Sequence, residues 1–321
     1  MEYRRLGRSG LKVSTISLGS WLTYGGSVAS ESARECVLQA YDLGVNLFDT
    51  SDAYYRGESE KVLGEVLQEL PRSSYVLATK VYFPMGEGPN DKGLSRKHIM
   101  EECHASLKRL KTDYIDLYQC HRFDPETPMD ETLRALDDLV TQGKILYAGV
   151  SEWRAEQITD AIQIAARHNL DPIVSNQPEY NMLSRRIEKA VIPASERDGV
   201  GQIVFSPLAQ GVLTGKYRPG QPLPEGSRAL DPNSNRFMPD LLQQPLLEAV
   251  ERLRPIASDL GLTMSQLSLA WILRQKNVAS AIIGATRKEQ VQDNVAASGV
   301  TLDENVLTAI DTALNGFYTY D

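Results

Sequence analysis

The sequence predicts an α/β fold, a (β/α)8 barrel, on three observations. Short apolar runs alternate with amphipathic helical stretches along 321 residues, and eight such runs can be read. Strict alternation builds a parallel sheet, and eight units argue for closure into a barrel. The apolar runs are continuous, as strands buried on both faces require. A doubly wound open sheet is the competing architecture, but no Gly-x-Gly-x-x-Gly follows the first run.

The elements follow in order. A short hairpin, Tyr3–Leu6 and Leu11–Val13, turns at Ser9-Gly10. The strand Thr15–Gly19 leads to a helix over Ser30–Gly44, with Ser30 as N-cap and Gly44 as stop. Strand Val45–Thr50 precedes a helix over Gly57–Leu70 that ends before Pro71. Strand Tyr75–Lys80 precedes a helix over Ser95–Leu110, with Ile99, Cys103, Leu107 and Leu110 on one face. Strand Tyr114–His121 precedes the helix Met129–Gly143, and Tyr147–Ser151 precedes Arg154–His168. Strand Ile173–Gln177 is followed by a helix through Arg186–Gly199, then by strand Gln202–Ser206. The last barrel strand is Ser280–Ala285, with the helix Lys288–Ala297. One domain over residues 1–321 is expected.

Two segments stand outside this rhythm. Lys216–Asp240 is rich in Pro, Gly, Ser and Asn. A loop of that length is usually functional or disordered, and this one leaves from the C-terminal mouth of the barrel, where it could fold over a ligand. A C-terminal helix over Asp303–Leu314 ends in the aromatic tail "GFYTYD".

Charge and composition exclude several classes. Net charge is −8 with no Lys/Arg block, which argues against nucleic-acid and anionic-membrane binding. No apolar run is long enough to span a bilayer, and "MEYRRLGRSG" lacks a signal core. Cys36, Cys103 and Cys120 show neither a disulfide framework nor metal-ligand spacing, so reduced thiols in a cytoplasmic protein are expected.

The strand ends carry the chemistry. "VNLFDTSDAY" closes on Asp49 with Tyr54 beyond, "YVLATK" on Lys80, and "IDLYQCH" on His121. In a barrel these converge on one mouth. A phenol titrates near 10 in water and is a poor acid unless its phenolate is stabilised. A nearby Lys80 ammonium, held by Asp49, would lower it, and His121 could bond a substrate oxygen. The set suits protonation of an oxyanion formed as hydride reaches a carbonyl. Taken singly, the same residues read as a structural ion pair, a core histidine and a rim tyrosine.

Other strand ends suit a flat, phosphorylated cofactor. Ser151, Asn176 and Gln177 offer hydroxyl and amide groups to a carboxamide ring, and Phe205 could stack on a heterocycle. Gly284, opening a helix, exposes backbone N–H groups to phosphate, and Arg287 could hold a 2′-phosphate. Gln290 and Asn294 follow within two turns. Trp21, Tyr55, Tyr82, Phe83 and Trp153 each closely follow a strand and could line an apolar pocket. A metal-dependent hydrolase is disfavoured: of His98, His104, His121 and His168, three fall on helices facing away from the mouth.

The stretches "LGRSGLKVSTISLGSW", "NLFDTSDAYYRGESEKVLG", "DYIDLYQCHRFDPETPMDETLRALDDLVTQGKI", "FSPLAQGVLTGKY" and "IIGATRKEQVQDN" resemble the aldo-keto reductases, in the branch that includes potassium-channel β subunits. The resemblance covers nearly the whole chain. It implies a barrel that binds extended NADP(H) and reduces small carbonyl substrates. It implies Tyr54 as proton donor, Lys80 and Asp49 as its tuning pair, and His121 as the substrate-orienting group. It implies cofactor contacts from Ser20, Trp21, Asp49, Ser151, Gln177, Phe205, Ser206, Pro207, Leu208, Gln210, Lys216, Arg228, Gly284, Thr286, Arg287, Gln290, Asp293 and Asn294. The loop from Lys216 looks like a strap over the pyrophosphate. Such relatives form tetramers or larger rings, so a homo-oligomer is implied, and a nucleotide-sensing regulatory subunit is the alternative role. Three positions depart from the pattern: Glu152 stands where many relatives carry Asn or Arg, Phe205 where relatives usually carry Tyr or Trp, and His121 where channel β subunits carry Asn.

Overall fold

The computed structural model describes residues 1–21, 24–25, 30–232, 234–235 and 238–320. Strands β1 (Tyr3–Arg5) and β2 (Lys12–Ser14) form the expected antiparallel hairpin, with Tyr3 opposite Ser14. It plugs the N-terminal end of a barrel: Leu6 and Val13 are fully buried beside Leu47, Val76, Leu117 and Ile203.

The barrel comprises β3 (Ile16–Gly19), β4 (Leu47–Asp49), β5 (Val76–Val81), β6 (Ile115–Cys120), β7 (Ile145–Ser151), β8 (Ser175–Gln177), β9 (Gly201–Val204) and β10 (Val278–Ile283). All pairings are parallel, neighbours follow chain order, and β10 bonds to both β9 and β3, closing the ring. Strand periodicity then decides what faces inward. On β5, Val76 and Ala78 pack in the barrel interior while Leu77 and Val81 join the layer under the helices. Lys80 is therefore inward, on the face of Val76 and Ala78.

The outer layer is α1 (Ser30–Asp42), α2 (Glu58–Leu67), α3 (Arg96–Leu110), α4 (Met129–Thr141), α5 (Ala155–His168), α6 (Val191–Asp198), α7 (Gln244–Glu251), α8 (Leu253–Asp259), α9 (Met264–Leu273), α10 (Lys288–Val295) and α11 (Glu304–Ala313). On α3 the expected face of Ile99, Cys103, Leu107 and Leu110 is buried. Asp303 caps α11, its carboxylate accepting from the Val306 N–H at 2.9 Å. All three cysteines are buried and reduced. No single helix among the described residues is long and apolar enough to cross a membrane.

Three expectations change. Ser30 is the first helical residue rather than the cap before it. α6 begins at Val191 instead of Arg186, and Pro193 is the reason. In the longer helix its ring would sit in the interior and delete a hydrogen bond, whereas at the third helical position its missing N–H has no partner to lose. Finally, α7, α8 and α9 lie between β9 and β10, where no helix was predicted. The signal for α9 was present: Thr263 and Gln266 form a reciprocal capping box. Its even apolarity hid the amphipathic period, because α9 packs on α8, α10 and β10 together.

Gly64 sets the approach of α2 to α3. A Cβ there would lie 2.7 Å from the Leu110 carbonyl oxygen and Cα. Gly64→Ala gains up to about 1 kcal/mol in helix propensity, but forcing backbone apart costs about 1–3 kcal/mol. The variant is expected to unfold at lower urea; an unchanged or raised midpoint would show that the helices separate freely.

Candidate active site

Asp49 ends β4, Lys80 is the penultimate residue of β5, and His121 follows β6 directly. Barrel closure brings these ends together. The Lys80 ammonium donates to Asp49 Oδ2 at 2.6 Å and to the Thr50 carbonyl at 2.8 Å. Its third neighbour is the Tyr54 hydroxyl, at 3.3 Å. Asp49 Oδ1 accepts from Gln177 Nε2 at 2.8 Å, so the end of β8 joins the centre. Tyr54 and His121 meet edge to face at 5.7 Å between ring centres.

Burial pulls the Lys80 ammonium down, but Asp49 and Tyr54 together raise it above its ordinary value, so it stays charged. Tyr54 departs from the expectation that Lys80 would lower its phenol. Burial raises it and Lys80 only partly offsets this, so the net shift is upward. The phenol therefore holds its proton at neutral pH, as a donor must. Burial, then Lys80 and Arg122, push His121 well below its ordinary value, so its imidazole is neutral.

Two supporting groups escaped the sequence reading. Ser51 Oγ lies 3.0 Å from His121 Nδ1 and 2.9 Å from Asp52 Oδ1, so a buried Ser–Asp pair orients the imidazole. Burial, with Glu60 and Glu102 nearby, raises the Asp52 carboxyl well above its usual range. The hint was "DTSDAY" itself, but only folding shows that Ser51 faces His121. Arg122 is the other: its Nη1 donates to the His121 carbonyl at 2.6 Å.

The predicted pocket aromatics divide. Phe83 packs edge to face on His121 at 4.9 Å and on Tyr82 at 5.3 Å. Tyr55 is exposed, with φ +47° in a strained turn. Trp21 lies beneath the Arg228 guanidinium, 5.0 Å from its ring centre. Trp153 is only 2% exposed and packs on Phe123, within the core.

The predicted cofactor residues occupy an arc from β7 to β3. Ser151 Oγ donates to the Gln177 carbonyl at 2.7 Å, and Ser20 Oγ to Thr50 at 2.8 Å. Asn176 faces outward, with Nδ2 donating to Gln202 at 3.1 Å, away from any ligand in the mouth. After β9, Phe205, Ser206, Pro207, Leu208 and Gln210 form a tight loop, with Ser206 and Gln210 at positive φ and joined side chain to side chain at 2.8 Å. Burial, then Arg228 and Arg287, lower the Lys216 ammonium. Three cations thus converge from the loops after β9 and β10. The predicted strap from Lys216 also contains positions 233, 236 and 237, which lie outside the described residues. Gly284 opens toward α10 with free space where a Cβ would stand. Thr286 donates its N–H to Gln290 Oε1 at 2.8 Å, and Asn294 is buried on α10. Asp293 is turned to α9, accepting from Gln266 Nε2 at 2.9 Å.

Glu152 serves the scaffold. At φ +60°, its carboxylate accepts from the Glu179 N–H at 2.7 Å and pairs with Arg186. The C-terminal tail is held similarly: Arg185 N–H donates to the Thr319 carbonyl at 2.8 Å, with the Arg185 guanidinium over Tyr318.

The model of the aldo/keto reductase family matches residues 15–315. The chain belongs to the aldo/keto reductase family. It is 45% identical over 303 residues, covering 94% of this chain and 92% of the relative, to a probable voltage-gated potassium channel subunit beta of Arabidopsis thaliana. A putative voltage-gated potassium channel subunit beta of Schizosaccharomyces pombe is 45% identical over 328 aligned positions, covering 98% and 94% of the two chains. A probable voltage-gated potassium channel subunit beta of Oryza sativa subsp. japonica is 43% identical over 303, covering 94% and 92%. This aldo/keto reductase is thus of an oxidoreductase type whose members generally bind NAD(P)H. Its residues fit such a group: three clustered cations suit phosphates, and the open backbone at Gly284 admits close approach.

The neutral His121 makes stability pH-dependent. Unfolded histidine titrates near 6.5; the folded imidazole titrates lower, so below about pH 6.5 the unfolded chain binds the extra proton. Wild type should lose stability relative to His121→Asn between about pH 7 and pH 5, measured by urea midpoints at both. A gap independent of pH would place His121 in a solvated setting.

Proposed function

We propose that this aldo/keto reductase uses NADPH to reduce aldehydes and ketones to alcohols, with Tyr54 as proton donor. The observation that carries the reading is the Tyr54 hydroxyl, 3.3 Å from an ammonium that Asp49 anchors at 2.6 Å. When bound, NADPH supplies the hydride for the carbonyl carbon. Tyr54 gives its proton to the carbonyl oxygen as negative charge grows there, and the Lys80 ammonium stabilises the phenolate left behind. Neutral His121 helps orient that oxygen. Gln177 holds Asp49 so that Lys80 faces the phenol.

The phosphate-bearing part of the cofactor goes to Lys216, Arg228 and Arg287. Arg287, at the N-terminal boundary of α10, is the candidate for the 2′-phosphate that separates NADPH from NADH. Ser151 and Gln177 would take the nicotinamide carboxamide.

A second reading, a nucleotide-sensing regulatory subunit, draws on the relatives' names. Both readings require the cofactor; only the first requires turnover. General acid catalysis contributes about 10²–10⁴-fold. Tyr54→Phe should therefore cut kcat with 4-nitrobenzaldehyde by at least about a hundredfold while NADPH binding, read by its fluorescence, is kept. Turnover retained in the variant would remove Tyr54 from the role. Tight NADPH binding with no turnover in wild type would favour the regulatory subunit. Arg287→Leu should raise KM for NADPH and leave KM for NADH nearly constant; an equal rise for both would assign the 2′-phosphate elsewhere.

A further inference from the structure

The cations assigned to phosphate lie on one side of the mouth, after β9 and β10. Arg122 does not. It follows β6, which in the closed ring lies four strands from β10 and three from β9. Four is the largest separation that eight strands permit, so Arg122 stands across the mouth from the phosphate cations.

Its surroundings place it beside the reacting centre. The Arg122 guanidinium is 5.7 Å from the centre of the Phe83 ring. Phe83 packs on His121 at 4.9 Å, and His121 on Tyr54 at 5.7 Å. The charge of Arg122 is felt at both Tyr54 and His121.

Arg122 is half-buried, yet no carboxylate among the described residues pairs with it. The nearest acid in sequence, Asp124, is committed elsewhere, accepting from Leu94 N–H, Glu126 N–H and Thr127 Oγ at 2.8–3.0 Å. Arg122 spends one donor on the His121 carbonyl at 2.6 Å. A guanidinium has five N–H donors in a planar fork matched to a carboxylate. Partly desolvated and unpaired, it is a site prepared for an anion.

We propose that Arg122 anchors the carboxylate of carbonyl substrates that carry one, setting a preference for anionic over neutral aldehydes. The inference rests on the reductase reading and adds a substrate class to it. The aldehyde end meets Tyr54 and His121, the spacer lies along Phe83, and the carboxylate meets the fork of Arg122.

The test compares 4-carboxybenzaldehyde, ionised at neutral pH, with methyl 4-formylbenzoate, which has a similar shape but no charge and an aldehyde that is, if anything, the more electrophilic. In wild type, kcat/KM should favour the acid by at least about tenfold at low salt, through KM, and the ratio should shrink as NaCl is added. Arg122→Gln should bring the ratio near one, and Arg122→Lys should restore part of it. A wild-type ratio at or below one, or a ratio that survives Arg122→Gln, overturns the anchor while ester turnover still supports the reductase. If neither aldehyde is turned over, the reductase reading fails separately. Calorimetry of 4-(hydroxymethyl)benzoate against the NADPH-loaded protein then decides the anchor. Binding lost in Arg122→Gln supports it; equal binding, or none in wild type, overturns it.

Discussion

The buried ion pair between Asp49 and Lys80 is the constraint on which the mouth of this barrel depends. Its ammonium is fully buried and its carboxylate nearly so. Removing two charges from water costs several kcal/mol per ion, and the pair is tolerable only when the remaining donors and lone pairs are satisfied. Here they are: Thr50 and Tyr54 surround the ammonium, and Gln177 completes Asp49. These demands tie the ends of β4, β5 and β8 together. The hydroxyl of Tyr54 is placed by the same ammonium, so the scaffold and the chemistry share one set of bonds.

A second acidic group lies behind that centre. On α2, fully buried Glu60 accepts from Thr79 at 2.6 Å and from Arg109 at 2.5 Å, and Arg109 also pairs with Glu102. One guanidinium thus serves two carboxylates, and Asp52 stands nearby with no charged partner among the described residues. The raised affinity of Asp52 for its proton follows from that imbalance as well as from burial. Through Ser51 it reaches His121, so the hydrogen bonding of the imidazole is set partly from the layer beneath the helices.

Backbone strain is concentrated where the ligands would bind. Among the described residues, Tyr55, Arg56, Glu152, Ser206, Ala209 and Gln210 all adopt positive φ, and all lie in loops after β4, β7 or β9. The remaining two non-glycine cases, Lys111 and Asn169, simply end helices. Strained residues persist where surrounding structure overdetermines them, often at functional sites. Charge is sorted around the same mouth, with three cations after β9 and β10, the Asp49–Lys80 pair near the centre, and Arg122 opposite.

Much of this was legible in the linear order of residues. Continuous apolar runs alternating with helices specified a parallel barrel, and a polar residue at the end of a buried strand has nowhere to go but the mouth. That is why Asp49, Lys80 and His121 could be named together, with Tyr54 one turn beyond. Helix α9 was missed because a segment covered on all sides loses the periodicity by which helices are recognised, and α6 was overextended because Pro193 is permissive in a first turn and forbidding later. What only the tertiary structure decided is which groups face one another. Side chains on different strands meet through closure and register, which no local pattern encodes. Gln177 against Asp49, Ser51 against His121, Glu152 turned to Arg186, and Arg122 with no carboxylate partner among the described residues, across the mouth from the phosphate cations, all depend on that closure. So does the direction of the Tyr54 shift, because the sequence shows the neighbouring charge of Lys80 but not the depth of burial that outweighs it.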